Sequence, residues 1–336
     1  MRNLLLFFVL ATSFLSCKKE SRQYLNYTSG TAFGTTFSVQ FIETKEVDFA
    51  KSYDSIIHVI NNSMSTYQDD SDISKINRGD TTIVVDDHFK KVFRASKEIY
   101  KETQGVFDPT IGVLVNAWDF GPEGKIIALD SLKIDSLLIS VGLDKVTLKN
   151  NKIVKQHKNT FLDFNALAKG YAVDVFAKFL EAKGIKNYLV EIGGEIKGKG
   201  SNLIKEKPWK IGVEDPNFDQ TQSYSKVLSL QNEAMATSGS YRKFKIDENG
   251  NKYAHIIDTK IGYPHKSNLL SVSVLTNSCM KADAYATALM SMGLEKSKQF
   301  LNTHPELKVY FIYENEENEL KTLSINGFSN DSSIQN

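Results

Sequence analysis

The chain has 336 residues, enough for one large or two medium domains with a sizeable core. Lys plus Arg number 41 against 40 Asp plus Glu, a net charge of +1, and no basic run stands out; a nucleic-acid partner is therefore not expected. With 41% hydrophobic residues the composition is that of a globular protein.

The first residues read as a targeting segment. Arg2 gives a positive start, residues 4–15 form an apolar run too short for a stable membrane span, and Ser16 is a small residue before Cys17. The ending "FLSC" looks like a bacterial lipoprotein cleavage site, with Cys17 the lipidated first residue of the mature chain and Phe14 in place of the usual aliphatic. An ordinary cleaved signal with an incidental Cys is the alternative. Cys17 and Cys279 are the only cysteines, so no disulfide framework is expected, and Cys279 reads as a small buried hydrophobe. The expected organisation is a signal over 1–17, a polar tether over 18–27, one catalytic unit over 28–330 and a polar tail over 331–336.

In chain order, "TTFSVQF" alternates with Phe37, Val39 and Phe41 on one face, as a strand does. Helical spacing of apolar residues follows over 47–61 and 87–104, the second with Gly105 as a stop, and another helix starts near Asp130. "VTLKNNKIVKQ" predicts a hairpin turning at Asn150 and Asn151. A long helix is expected over 165–183, then the buried strand "NYLVEIGG", then mostly strands to Leu275. The helix "SCMKADAYATALMSMG", a second over 294–303 and the strand "KVYFIYE" close the fold. Helices and strands mix without strict alternation or repeat, which predicts one compact α+β unit.

Four segments carry candidate chemistry. In the helix from Ser278, Asp283 and Thr287 stand four residues apart and so share a face. Each has a plain explanation, Asp283 at the helix dipole of the first turn and Thr287 bonding back to a carbonyl. Together they also suit a hard cation such as Mg²⁺, which takes few carboxylates and retains waters. In "LDFNALAKGYAVD", Asp163 and Asn165 precede a helix start that carries Lys169 and Gly170, a setting that attracts phosphate. The plain reading is an Asn cap and a solvent-facing Lys, but Gly170 inside a helix suggests close approach of a backbone or ligand. "EIGGEIKGKG" follows a strand without the dinucleotide spacing and with no helix after it, so its glycines read as tight turns, not a Rossmann site. In "HIIDTKIGYP", His255 is either a general base or a hydrogen-bonded core residue. Neither HExxH, G-x-S-x-G nor a Walker loop is present.

In order, these stretches together with "GTAFGTTFSV", "MSTYQDDSDISKIN", "GVFDPTIGVLVNAWDFG", "ATSGSYR" and "ADAYATALMSMG" resemble the ApbE family of FAD:protein FMN transferases, over nearly the whole mature chain. The resemblance implies a mixed T-fold-related unit and an exported, lipid-anchored enzyme facing the periplasm or cell exterior. Its implied reaction cleaves FAD, attaches FMN to a Thr or Ser of an acceptor protein, usually a membrane respiratory subunit, and releases AMP. It further implies Mg²⁺ held by Ala166, Asp283 and Thr287, and FAD contacts at Phe33, Tyr67, Val106, Phe107, Asp108, Asp163, Lys169 and Ile257. Lys169 and His255 then become catalytic candidates, with Tyr67 and Phe107 as ring platforms. Three positions depart from the family pattern: Phe33 for Met, Ser240 for Asp, and Thr259 for Pro, the last expected to loosen its turn. The rival readings are an FAD diphosphatase yielding FMN and AMP, a non-enzymatic FAD-binding lipoprotein, and a structural lipoprotein without a ligand.

Overall fold

The computed structural model describes residues 22–216, 223–240, 244–246, 252–265 and 267–328. Cys17 with its leader, part of "ATSGSYR", and the 331–336 tail lie outside the described residues.

The chain opens on an antiparallel pair, β1 (Tyr24–Ala32) and β2 (Thr35–Glu43), which turns at Phe33 and Gly34, both at positive φ. The expected tether over 18–27 therefore ends early, because residues from Tyr24 onward belong to the sheet. Only Asn26 and Ala32 of this strand are buried, so it offers no apolar alternation to read. Five helices follow: α1 (Ala50–Met64), α2 (Asp72–Asn77), α3 (Asp87–Glu102), α4 (Gly112–Ala117) and α5 (Ser131–Leu138). Ser71, Asp86 and Asp130 start α2, α3 and α5 by accepting a backbone N–H three residues on, which replaces a bond the helix itself cannot make. The hairpin β3 (Val146–Lys149) and β4 (Lys152–Lys155) turns at Asn150 and Asn151, both at positive φ.

Next come α6 (Ala168–Ala182), β5 (Tyr188–Ile192), β6 (Glu195–Lys199), β7 (Ser201–Asn202), β8 (Lys207–Glu214), β9 (Tyr224–Leu230) and β10 (Glu233–Gly239). The short pair β11 (Phe244–Ile246) and β12 (Lys252–Ala254) precedes β13 (Leu269–Thr276), α7 (Cys279–Met292), α8 (Leu294–Leu301), β14 (Lys308–Glu314) and β15 (Leu320–Ile325).

Eight strands form one sheet in the order β1-β2-β5-β6-β10-β13-β14-β15, and every pairing in it is antiparallel. A doubly wound dinucleotide fold needs a mostly parallel sheet, so the α+β expectation holds. The period of two sends each strand's residues to two cores. Ala234, Ala236, Val272, Val274, Val309 and Phe311 join α1, α3, α6 and α7 in the main core. Met235, Leu275, Tyr310 and Ile312 instead pack with Ile211, Val213, Leu228 and Leu230 of the β8–β9 hairpin on the opposite face. A small satellite core joins Leu114 of α4, Ile134 of α5, Val141 and Ile257.

Candidate functional site

The site forms where α6 and α7 begin. Ala282, Ala284, Ala286 and Ala288 of α7 are buried, and their small size lets neighbouring backbones come close. Gly170 marks the tightest point. A Cβ there would lie 2.3 Å from the Cys279 carbonyl oxygen and 2.9 Å from Asp283 Cβ, so only glycine fits. Cys279 is fully buried, as expected.

Each helix caps the other. Asp174 of α6 accepts from Ser278 Oγ at 2.8 Å and from the Met280 N–H at 3.1 Å, at the start of α7. Lys197 of β6 holds the other Asp174 oxygen at 2.6 Å. In return, Asp283 Oδ2 accepts the Gly170 N–H of α6 at 3.0 Å. Asp283 lies in the second turn of α7 and not the first, so the dipole of its own helix does not account for it; the buried first-turn N–H of the neighbouring helix does. Nor is Asn165 the cap of α6. That helix starts at Ala168 with Leu167 before it and no side-chain cap of its own. Asn165 instead donates its N–H to Asp163 Oδ1 at 2.7 Å and its amide to Thr66 Oγ1 at 3.4 Å, which shapes the turn that contains Ala166.

Lys169, expected to face solvent or phosphate, donates to Glu195 Oε1 at 2.8 Å, at the start of β6. The turn Gly193–Gly194, both at positive φ, delivers Glu195 there. Burial pushes Glu195 up to about 7 although Lys169 opposes the shift, and burial likewise raises Asp283. Burial works against the Lys169 ammonium, but Asp283 and Glu195 outweigh it and lift Lys169 above its ordinary range. Glu195 Oε2 is buried and has no partner. Glu195 escaped the sequence reading because its partner is 26 positions away and a Glu after Gly-Gly reads as a turn residue. Thr287 does not bond back along its helix; its hydroxyl meets Ser238 Oγ of β10 at 3.0 Å. Asp283, Thr287 and Ser238 offer oxygen donors only, the set Mg²⁺ prefers, and Glu195 Oε2 is a further buried oxygen without a donor near Asp283. No group of three or more His, Cys, Asp or Glu gathers among the described residues, so a cation here would also need backbone, water or substrate oxygens.

The other candidates lie on other loops. Asn77 brackets Leu162 with two bonds of 2.8 Å, and the Asp163 N–H donates to the Pro109 carbonyl, which fixes Asp163 beside the 105–109 loop. Tyr67 is 65% exposed, and partial burial with the nearby Asp163 raises its phenol. Phe33 and Val106 are half-buried. Phe107 is only 3% exposed within the main core, so its ring is a core element and not the open platform expected. Asp108 is also buried: Oδ1 accepts from the Thr110 N–H and hydroxyl, and Oδ2 from the Leu143 N–H. Burial still pushes its carboxyl up to about 6. Ile257 belongs to the satellite core. The turn after it is tied, not loosened, by the departure from Pro, since the Thr259 hydroxyl donates to the Gly105 carbonyl at 2.7 Å. Ser240 bonds the Leu269 carbonyl. His255 packs edge-on against Phe120, with ring centroids 6.2 Å apart.

Comparison with known proteins follows the same outline. Residues 33–311 match the model of the ApbE family. A protein of Vibrio cholerae named FAD:protein FMN transferase is 35% identical over 304 residues, covering 88% of this chain and 89% of its own. One of the same name from Haemophilus influenzae is 35% identical over 316 residues, covering 90% of each. Among solved structures, the flavin transferase ApbE from Vibrio cholerae superposes with a TM-score of 0.80 at 32% identity, covering 90% of this chain and 97% of its own. The apo flavinyl transferase ApbE from Pseudomonas stutzeri also reaches 0.80, at 27% identity, covering 90% and 95%.

Proposed function

The chain belongs to the ApbE family, and from that premise we propose that it transfers FMN from FAD to a Thr or Ser hydroxyl of an acceptor protein, releasing AMP, with Mg²⁺ as the required cation. The observation that carries this reading is the junction of α6 and α7, where the Lys169–Glu195 pair and the Asp283 carboxylate gather at the start of α6 and Thr287, bonded to Ser238, stands one turn further along α7 on the same face. Such a site suits phosphoryl transfer, in which the protein contributes position and charge rather than covalent chemistry.

Asp283, Thr287 and the Ala166 carbonyl would hold Mg²⁺, which supplies a Lewis acid for the diphosphate. The Lys169 ammonium neutralises diphosphate oxygens, and Asp163 and Tyr67 orient the nucleotide from the loops. The acceptor oxygen forms a bond to the phosphorus on the riboflavin side as the bond from that phosphorus to the bridging oxygen breaks. AMP leaves with the bridging oxygen, and the acceptor's proton passes to a base, for which His255 is the candidate. His255→Ala that retains the full transfer rate at every pH would remove His255 from that role.

For localisation, we infer export and anchoring through an acylated Cys17, with respiratory membrane subunits as the acceptors. Cys17→Ala should then move the protein from the membrane fraction to the soluble one. The main test incubates protein lacking residues 1–17 with FAD, Mg²⁺ and a candidate acceptor domain, and reads the acceptor's intact mass and the AMP formed. An acceptor that gains one FMN, and loses that gain with chelator, supports the transferase. Free FMN and AMP without acceptor labelling would make it an FAD diphosphatase, and intact bound FAD would favour storage.

A further inference from the structure

Lys169 has two carboxylates to choose between. It pairs with Glu195 and makes no ion pair with Asp283, although both carboxylates lie close enough to favour its charged form. The backbone explains why the choice is open. Lys169 immediately precedes Gly170, whose N–H holds Asp283 at 3.0 Å, so the Lys169 side chain leaves the helix beside that carboxylate. Glu195 approaches from the sheet, at the first residue of β6. It is only 4% exposed, and its single side-chain partner is Lys169. Lys169 is half-buried, but a carboxylate buried as deeply as Glu195 in a purely structural ion pair normally satisfies both oxygens, because an unpaired one costs desolvation with no return. Glu195 leaves Oε2 unpaired. Of the three buried side-chain atoms without a partner among the described residues, it is the only one that carries charge. The cost points to a task other than stability.

We propose that Glu195 is a positioning residue: by pairing with Lys169 it holds the ammonium off Asp283 and keeps that carboxylate open to a divalent cation. This rests on the reading above that Asp283 binds Mg²⁺. Without the Glu195 charge, Lys169 turns to Asp283 and occupies the cation's place as an internal competitor. In the intact site, Lys169 waits beside the cation to meet the diphosphate.

The test is a double-mutant cycle on Mn²⁺ binding, followed by electron paramagnetic resonance on the protein lacking residues 1–17 with no nucleotide present. Glu195→Gln keeps the shape and removes the charge. It should weaken Mn²⁺ binding by roughly 10–100-fold, the range found for residues that act on a metal through a ligand. In a Lys169→Met background the competitor is gone, and Glu195→Gln should then cost less than about 3-fold. That loss of additivity is the signature. An equal cost in both backgrounds would mean that Glu195 acts only through its distant charge, and no cost in either would mean it does not act on the cation; both overturn the proposal. Wild-type protein that binds no Mn²⁺ would overturn the Mg²⁺ assignment itself, which keeps the two failures distinct. Should Glu195→Gln not fold, Glu195→Asp carries the test, since it keeps the charge and should stay within about 3-fold of wild type. A loss as large as that expected for the Gln variant would count against the proposal.

Discussion

Two buried carboxylates, Asp108 and Glu195, look alike by their acidity and differ in their partners. Burial pushes the first to about 6 and the second to about 7. Asp108 gives both oxygens to its own chain, taking two donors from Thr110 and one from Leu143, and so ties the 105–110 loop to the start of the 143–145 turn. Glu195 gives one oxygen to Lys169 and leaves the other empty. A shifted pKa therefore marks burial in both places, while the unpaired oxygen sets Glu195 apart from the fully bonded Asp108. The same accounting separates Asp174, filled by Ser278, Met280 and Lys197, from Asp283, which gives one oxygen to Gly170 and stands beside the open Glu195.

The largest effect expected from this contrast is at Asp283. Asp283→Ala should lower the rate of FMN transfer by about 1,000-fold or more, since on the proposed reading it removes the carboxylate that holds the cation at the diphosphate. Asp283→Asn, which can still accept the Gly170 N–H, should lose the activity but keep most of the stability; melting curves beside acceptor mass spectra distinguish the two losses. If the Asn variant also retained transfer, the functional side of the contrast would fail. Gly170→Ala comes next. Its methyl group meets a backbone carbonyl at 2.3 Å, which cannot rotate away. Denaturant unfolding should show a loss of roughly 3 kcal/mol, at the upper end for overpacking, and transfer should fall with it as α6 and α7 separate.

The structural carboxylate makes a prediction of its own. With its folded pKa near 6 against 3.8 unfolded, Asp108 binds more protons when folded across that interval. Stability from this group is thus present at the acid end and declines as pH rises from about 4 to 6, by roughly 3 kcal/mol for a shift of this size. Asp108→Asn should flatten that part of the profile of unfolding free energy against pH. An unchanged slope would place the titration elsewhere.

Much of this was legible in the sequence, and the boundary has physical causes. The i, i+4 spacing of Asp283 and Thr287 set them on one face, and the Asn150–Asn151 turn and the alternation of "TTFSVQF" appeared where expected. Gly170 signalled a close approach correctly, but the neighbour proved to be the Cys279 backbone. What local pattern does not encode is a pairing across the fold. Glu195 with Lys169, Ser238 with Thr287, and Asp174 with the start of α7 join residues from different elements. β1 was hidden for a different reason, being an edge strand with most of its side chains outside the core. Phe107 shows a limit of the opposite kind: its place in the motif suggested an open ring platform, whereas its ring lies in the main core.

The smallest effect concerns that loop and sharpens the contrast most finely. Thr259 occupies a position where proline would have stiffened the chain by fixing φ. Here its hydroxyl does comparable work through a bond to the Gly105 carbonyl, while Trp118 donates to the Gly262 carbonyl at 2.9 Å on the other side of the same turn. These two bonds hold the 258–263 turn against both the 105–109 loop and α4. Thr259→Val keeps the shape and removes the donor, so it should cost about 1 kcal/mol of stability, the usual net value of one hydrogen bond. Because Gly105 leads directly into Val106–Asp108, the looser loop should raise the KM for FAD several-fold and leave kcat nearly unchanged. A fall in kcat instead would mean that the loop takes part in the transfer step itself, and the division drawn here between a self-satisfied scaffold and an open site would have to move to include it.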